Sequence, residues 1–183
     1  MKARSPVLAS PVDQGLQHRR VVVGDPMNAE TFAESVRGHD TLVQLVGVPK
    51  PSPWKGPQFR AIDGPSAMAA VRTVALLGVN HFVYVSVAHP APIMRDYIDV
   101  RRDCEEAIRR AGLVATILRP WYILGPGHWW PLALVPIYRL LERVPATREA
   151  ATRLGLVTIR DMLAALRWSI EHPPVTTRVV EVP

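Results

Sequence analysis

The sequence predicts an α/β fold, a doubly wound parallel sheet with helices on its faces. Two observations carry this. Apolar runs rich in β-branched residues, at Val21–Val23, 40–48, His81–Ser86 and Val114–Leu118, alternate with stretches of helical spacing. The stretch from His81 to Leu118 reads as strand, helix and strand, a crossover that makes its two strands parallel and right-handed. The 183 residues, 48% hydrophobic and 21% charged, are ordinary for one globular domain with a real core.

The elements follow in order. Residues 1–19 show no clear period and read as loop, with a strand remnant near Pro6–Ala9. Val21–Val23 reads as a short buried strand, closed by the turn at Gly24, Asp25 and Pro26. A short helix over Ala29–Val36 is broken by Gly38. Residues 40–48 form the next buried strand, ending at Gly47, where a bare backbone suits either a close ligand approach or a simple turn. The proline-rich loop of residues 49–57 cannot enter a sheet, and its Trp54 is a candidate lid or an exposed loop residue. Pro65–Leu77 is an alanine-rich helix with Gly78 just past its end.

His81–Ser86 is then a strand ending on serine. Tyr97–Ala111 is a helix with Tyr97, Val100, Cys104 and Ala107 or Ile108 on one face, stopped by Gly112. Val114–Leu118 is the strand that Arg119 and Pro120 close. Residues 121–158 read as a substrate-side insertion within the single domain of residues 1–183. In it, Trp121, Trp129 and Trp130 bracket Gly125, Pro126 and Gly127, and Pro136 should kink a helix over Pro131–Leu141. Each of these aromatics fits a pocket wall, core packing or a dimer face. Leu156–Thr158 is a short strand, Thr158 caps a helix over Ile159–His172, and Arg178–Val182 is the last strand.

Composition excludes several classes. The single cysteine, Cys104, rules out an internal disulfide, and no cysteine-containing metal cluster is spelled out, so no metal is expected. No apolar run of about 18 residues is present and the first residues carry no apolar signal region, which makes a cytoplasmic chain without a transmembrane segment the expectation. The net charge of +6 is scattered in small groups beside Asp and Glu, with no basic run among aromatics, so no nucleic-acid partner is expected. The same charge attracts anionic cofactors or substrates.

The chemical constellation is Ser86, Tyr97 and Arg101, at the carboxyl edge of the strands where ligands of such sheets bind. Tyr97 and Arg101 are four apart on a helix and share a face. A fixed cation beside a phenol lowers its pKa, and a phenol so tuned trades a proton with a carbonyl or alcohol that the serine also holds. The three residues fit equally a tyrosine packed on the sheet, a solvated arginine and a serine capping a loop.

The strand FVYVS, then Y-x-x-x-R, then the run EEAIRRAGLVATILRPWYILGPG resembles the atypical short-chain dehydrogenase/reductase family, NAD(P)H-binding proteins that include NmrA-like regulators, sugar-nucleotide epimerases and the NADH-binding accessory subunit of respiratory complex I. The matching positions are Ser86, Tyr97, Thr116, Leu118, Arg119, Pro120, Gly125 and Pro126; the departure is Arg101, where catalytic members carry Lys. The resemblance covers roughly Val21 to the C-terminus and implies a Rossmann-like sheet with NADP or NAD as cofactor. It implies Ser86, Tyr97 and Arg101 as the catalytic set, which also contacts cofactor. It places Asp25, which fits as well an aspartate capping the next helix, near the adenine ring, Val46, Gly47 and Val48 beneath the cofactor, and Pro120 and Tyr122 beside it.

No G-x-G-x-x-G occurs, so the fold is expected to be N-terminally truncated, beginning around the second strand of the family. Without that cradle a diphosphate loses charge-assisted hydrogen bonds of roughly 1.5–3 kcal/mol each. A homodimer or partner protein covering apolar surface is expected to compensate for the missing strand. Three functions follow. The chain is a non-catalytic NAD(P)H-binding or assembly module. It is an NAD(P)-dependent oxidoreductase or epimerase-like enzyme acting on a small molecule, with Tyr97 as the acid/base. Or it is an inactive fragment.

Overall fold

The computed structural model describes residues 20–91, 93–125 and 155–181. Six strands are present among them, β1 (Thr41–Gln44), β2 (His81–Val85), β3 (Ala115–Arg119), β4 (Tyr122–Leu124), β5 (Leu156–Thr158) and β6 (Arg178–Glu181). The main sheet runs β1-β2-β3-β6 with every neighbour parallel, and β4 pairs in parallel with β5 in a second, two-stranded sheet. The α/β fold of the sequence is therefore observed.

Helices cover both faces. A four-residue helix, α1 (Ala33–Val36), precedes β1. A five-residue π turn, Phe59–Asp63, leads directly into α2 (Gly64–Leu77), which Gly78 ends in the left-handed region at φ +65°. α3 (Arg95–Arg110) follows β2, and Gly112 at φ +64° releases the chain towards β3. Strand residues alternate between the faces. Phe82, Tyr84, Ala115 and Ile117 pack with Val71 and Val74 of α2 and Cys104 and Ile108 of α3. Val83 and Leu118 point the other way, onto Met162 of α4 (Ile159–Glu171). Thr158 caps α4 as its spacing predicts, its hydroxyl accepting the Asp161 N–H at 3.2 Å.

Two expectations need correction. Val21–Val23 is no strand. Val21 and Val23 are 77% and 86% exposed, and no strand of the described sheet pairs with the triplet, so its backbone is left to water. The turn after it closes on itself instead, with the Asp25 N–H donating to Thr31 Oγ1 at 2.9 Å. The strand expected over residues 40–48 stops at Gln44, where its pairing with β2 ends, and the Val48 N–H goes to the Asp63 carboxylate instead. Trp54, read as a lid or an exposed loop residue, is 84% exposed. The strand remnant near Pro6–Ala9, the residues Gly127, Trp129 and Trp130, and the helix around Pro136 lie outside the described residues.

Candidate functional site

One stripe of α3 builds the site. Tyr97, Arg101, Glu105 and Arg109 stand at intervals of four and lie along one side of the helix. The amphipathic pattern put a small apolar face against the sheet, but Arg101 and Glu105 are only 6% and 1% exposed. Burying either charge demands a partner.

Arg101 finds it in the π turn. Its Nη2 lies 2.6 Å from Asp63 Oδ1, and its Nη1 donates to the Val85 carbonyl at 2.7 Å. The guanidinium also lies 5.0 Å from the Tyr97 ring centre and 5.7 Å from that of Tyr84. Two i,i+4 pairs thus meet across the helices, since Phe59 packs its ring on Tyr97 at 4.9 Å between centroids. Asp63 uses its second oxygen to accept the Val48 N–H at 3.0 Å. A Cβ on Gly47 would fall 2.5 Å from Arg101 Nη2 and 3.0 Å from Asp63 Oδ1. The bare backbone at Gly47 therefore makes room for this ion pair.

Glu105 faces the other way. Its Oε1 accepts from the Ser86 hydroxyl at 2.6 Å and from Arg119 Nε at 3.0 Å. Its Oε2 accepts from Arg119 Nη2 and from Arg109 at 3.1 Å. Burial pushes this carboxyl up, but the hydrogen bonds from Arg119 and Ser86 outweigh it and hold the group below the usual carboxylate range. His89, its Nε2 3.4 Å from Glu105 Oε1, is held below the usual histidine range by burial and by Arg119.

Beyond the carboxyl ends of β2 and β3 opens a cavity of about 670 Å³. Ser86, Tyr97, Pro120 and Tyr122 line it, so the structure brings together four of the residues singled out in the sequence. Lys50, Ser52, Met94, Trp121 and Ile123 are among its other walls. Arg101 lies behind Tyr97 and does not line it. Asp25 is exposed and caps its own turn, accepting the Met27 N–H at 2.9 Å, while Gly47 and Val48 lie on the Asp63 side. A second cavity of about 540 Å³ is lined by Glu105, His89 and Arg119 among other charged residues, so the Ser86–Glu105 hydrogen bond joins the walls of the two.

The electrostatics of Tyr97 reverse the expectation. Burial pushes its phenol above the ordinary range and the Asp63 charge adds to this, while Arg101 only opposes them. The neighbouring cation does not deliver a phenolate, because burial of the phenol outweighs it. Asp63, Glu105, Lys50 and Ser52 were missed by the sequence reading. The acid one turn on from Arg101, Glu105, is taken by Ser86 and Arg119, so the partner of the buried arginine comes from elsewhere in the chain, and Asp63 is the answer. The Ser52 hydroxyl is buried without a hydrogen-bond partner, which no sequence pattern announces.

Among the described residues no helix is long and apolar enough to cross a membrane. Residues 3–126 match the family model described as NAD(P)H-binding. A ceramide reductase from Caulobacter vibrioides is 26% identical over 148 residues, 80% of this chain and 45% of that protein. A nucleoside-diphosphate-sugar epimerase from Staphylococcus aureus superposes with a TM-score of 0.62 at 15% identity, covering 94% of this chain and 58% of that one. A dTDP-4-dehydrorhamnose reductase from Bacillus anthracis, solved with NADP, gives 0.62 at 13% identity, covering 87% and 63%. This chain thus spans less than two thirds of each of these relatives. The parallel sheet, the cavity at its carboxyl edge and the matched residues together place the chain in the NAD(P)H-binding family, as a Rossmann-like domain.

Proposed function

We propose that this chain is a cofactor-binding module that holds the nicotinamide end of NADH or NADPH without turning it over. The observation that carries the reading is the Arg101–Asp63 pair. The family's catalytic members carry lysine at this position; here the corresponding cation is sealed against a carboxylate and a carbonyl, beside a phenol that burial keeps protonated. When bound, the cofactor supplies hydride chemistry. The chain's own part is to orient it. Pro120, Tyr122 and Trp121 offer flat apolar walls for the ring, and Ser86, Tyr97 and the unpartnered Ser52 hydroxyl offer polar contacts. Lys50, the charged side chain of that lining, favours a phosphate at the rim. The described residues fit this end of the cofactor.

Titration with NADH and NADPH, followed by quenching of Trp121 fluorescence, tests the reading. Saturation in the micromolar range, retained after Trp54→Phe, is expected. Absence of binding at millimolar cofactor would sink it.

The 26% identity to a ceramide reductase favours a second reading, in which the protonated Tyr97 is the proton donor of a carbonyl reduction. Under it Tyr97→Phe abolishes NADPH-dependent reduction and leaves cofactor binding intact. Arg101→Lys, which cannot span both Asp63 and the Val85 carbonyl, raises turnover only if a free cation is what the site lacks.

A further inference from the structure

The Ser86 hydroxyl has one proton, and its direction is determined. Glu105 Oε1 lies 2.6 Å away, and every other partner of that carboxylate (Arg119 Nε and Nη2, Arg109 Nη2, His89 Nε2) approaches as a ring or guanidinium nitrogen. Three guanidinium N–H groups on the two oxygens leave the carboxylate no proton to give and every reason to accept. Ser86 must therefore be the donor. The backbone cannot turn to undo this. The Ser86 N–H is held by the Leu118 carbonyl at 2.7 Å, and the Val85 carbonyl just before it is held by Arg101 at 2.7 Å. What Ser86 turns towards the cavity is lone pairs.

We propose that Glu105 is a positioning residue that fixes Ser86 as a hydrogen-bond acceptor, so that the cavity selects a ligand group that donates, an alcohol hydroxyl, over a carbonyl of the same shape. The inference rests on the reading of this cavity as the ligand site. Tyr97 lines the same cavity and carries the complementary group, a phenol O–H. An alcohol oxygen accepts from Tyr97 and donates to Ser86. A ketone oxygen can only accept, so it satisfies Tyr97 and sets its own lone pairs against those of Ser86. Discrimination by one buried hydrogen-bonding group left unpaired corresponds to about tenfold or more in affinity.

Cyclohexanol and cyclohexanone differ in this one respect, and their rings suit the walls formed by Met94, Trp121 and Ile123. Ligand-observed NMR titrations of the full chain with each compare the two. The alcohol is expected to bind about tenfold tighter. Ser86→Ala should bring the ratio close to one. In Glu105→Gln the amide can donate to Ser86 and release its proton to the cavity, so the preference should reverse; a merely structural Glu105 would weaken both probes alike. If that variant does not fold, the Ser86→Ala ratio decides alone. Equal or ketone-favouring affinities in the unmodified chain overturn the proposal, as does a preference that survives Ser86→Ala, or binding of neither probe up to its solubility limit. NADH is titrated on the same samples. Failure to bind NADH while the alcohol preference holds would sink the cofactor reading and leave this one standing.

Discussion

Arg101 and Glu105 stand one turn apart on the same helix, and both are buried, yet they live in different surroundings. The Arg101–Asp63 pair is sealed, with side-chain exposures of 7% and 0%, between the π turn, the sheet and the rings of Tyr84 and Tyr97. The Glu105–Arg119 pair is open-ended. Arg119 passes on to Glu181 at 3.1 Å, and Arg109 reaches in from a side chain 40% exposed. A sealed pair has no water to replace a lost partner, so it acts as an all-or-none strut. A pair connected to the surface can rearrange and titrate. The strut fixes the backbone at Val85, and the open network fixes the proton of Ser86.

The sharpest way to break this comparison is Asp63→Ala. It strands the Arg101 charge and should cost about 3–5 kcal/mol in urea unfolding. The double change Asp63→Leu with Arg101→Met should recover most of the loss, and a single-variant cost below about 1 kcal/mol would mean that the pair is solvated after all.

Gly47→Ala comes next. Its methyl would press on both members of the pair, for a loss of about 1–3 kcal/mol, the range of an overpacked core. If Gly47 instead marks a place where ligand alone approaches, the substitution weakens NADH binding and leaves stability untouched.

The smallest effect belongs to the open pair. Glu105 is held below its unfolded value, about 4.3 for a glutamate, so the stability it contributes is present above that pH and fades as pH falls through the folded value. Acid unfolding of Glu105→Gln should lack this component, and a parallel pH profile in both proteins would contradict it.

Much of the fold was legible because strands and helices write their periods into the chain. The strand Leu156–Thr158 and its Thr158 cap need only local chemistry, as do the glycine stops at Gly78 and Gly112. The site was legible where it follows from the crossover, for Ser86 and Tyr97 fall at strand end and helix start. It was misread where a residue's role depends on a partner far along the chain. Arg101 takes its meaning from Asp63, 38 residues away, and Val21–Val23 would need a neighbouring strand to become one.

The sequence by itself thus determined the alternation of strand and helix, the parallel sheet and the edge where a ligand belongs, since these rest on apolar period and turn chemistry. Only the tertiary structure decided that the cation beside Tyr97 is engaged by Asp63, that Gly47 makes room for that pair, and that the proton of Ser86 points to Glu105. Each of these depends on which charges meet inside the folded chain. Desolvation makes such meetings obligatory, and no local pattern records them.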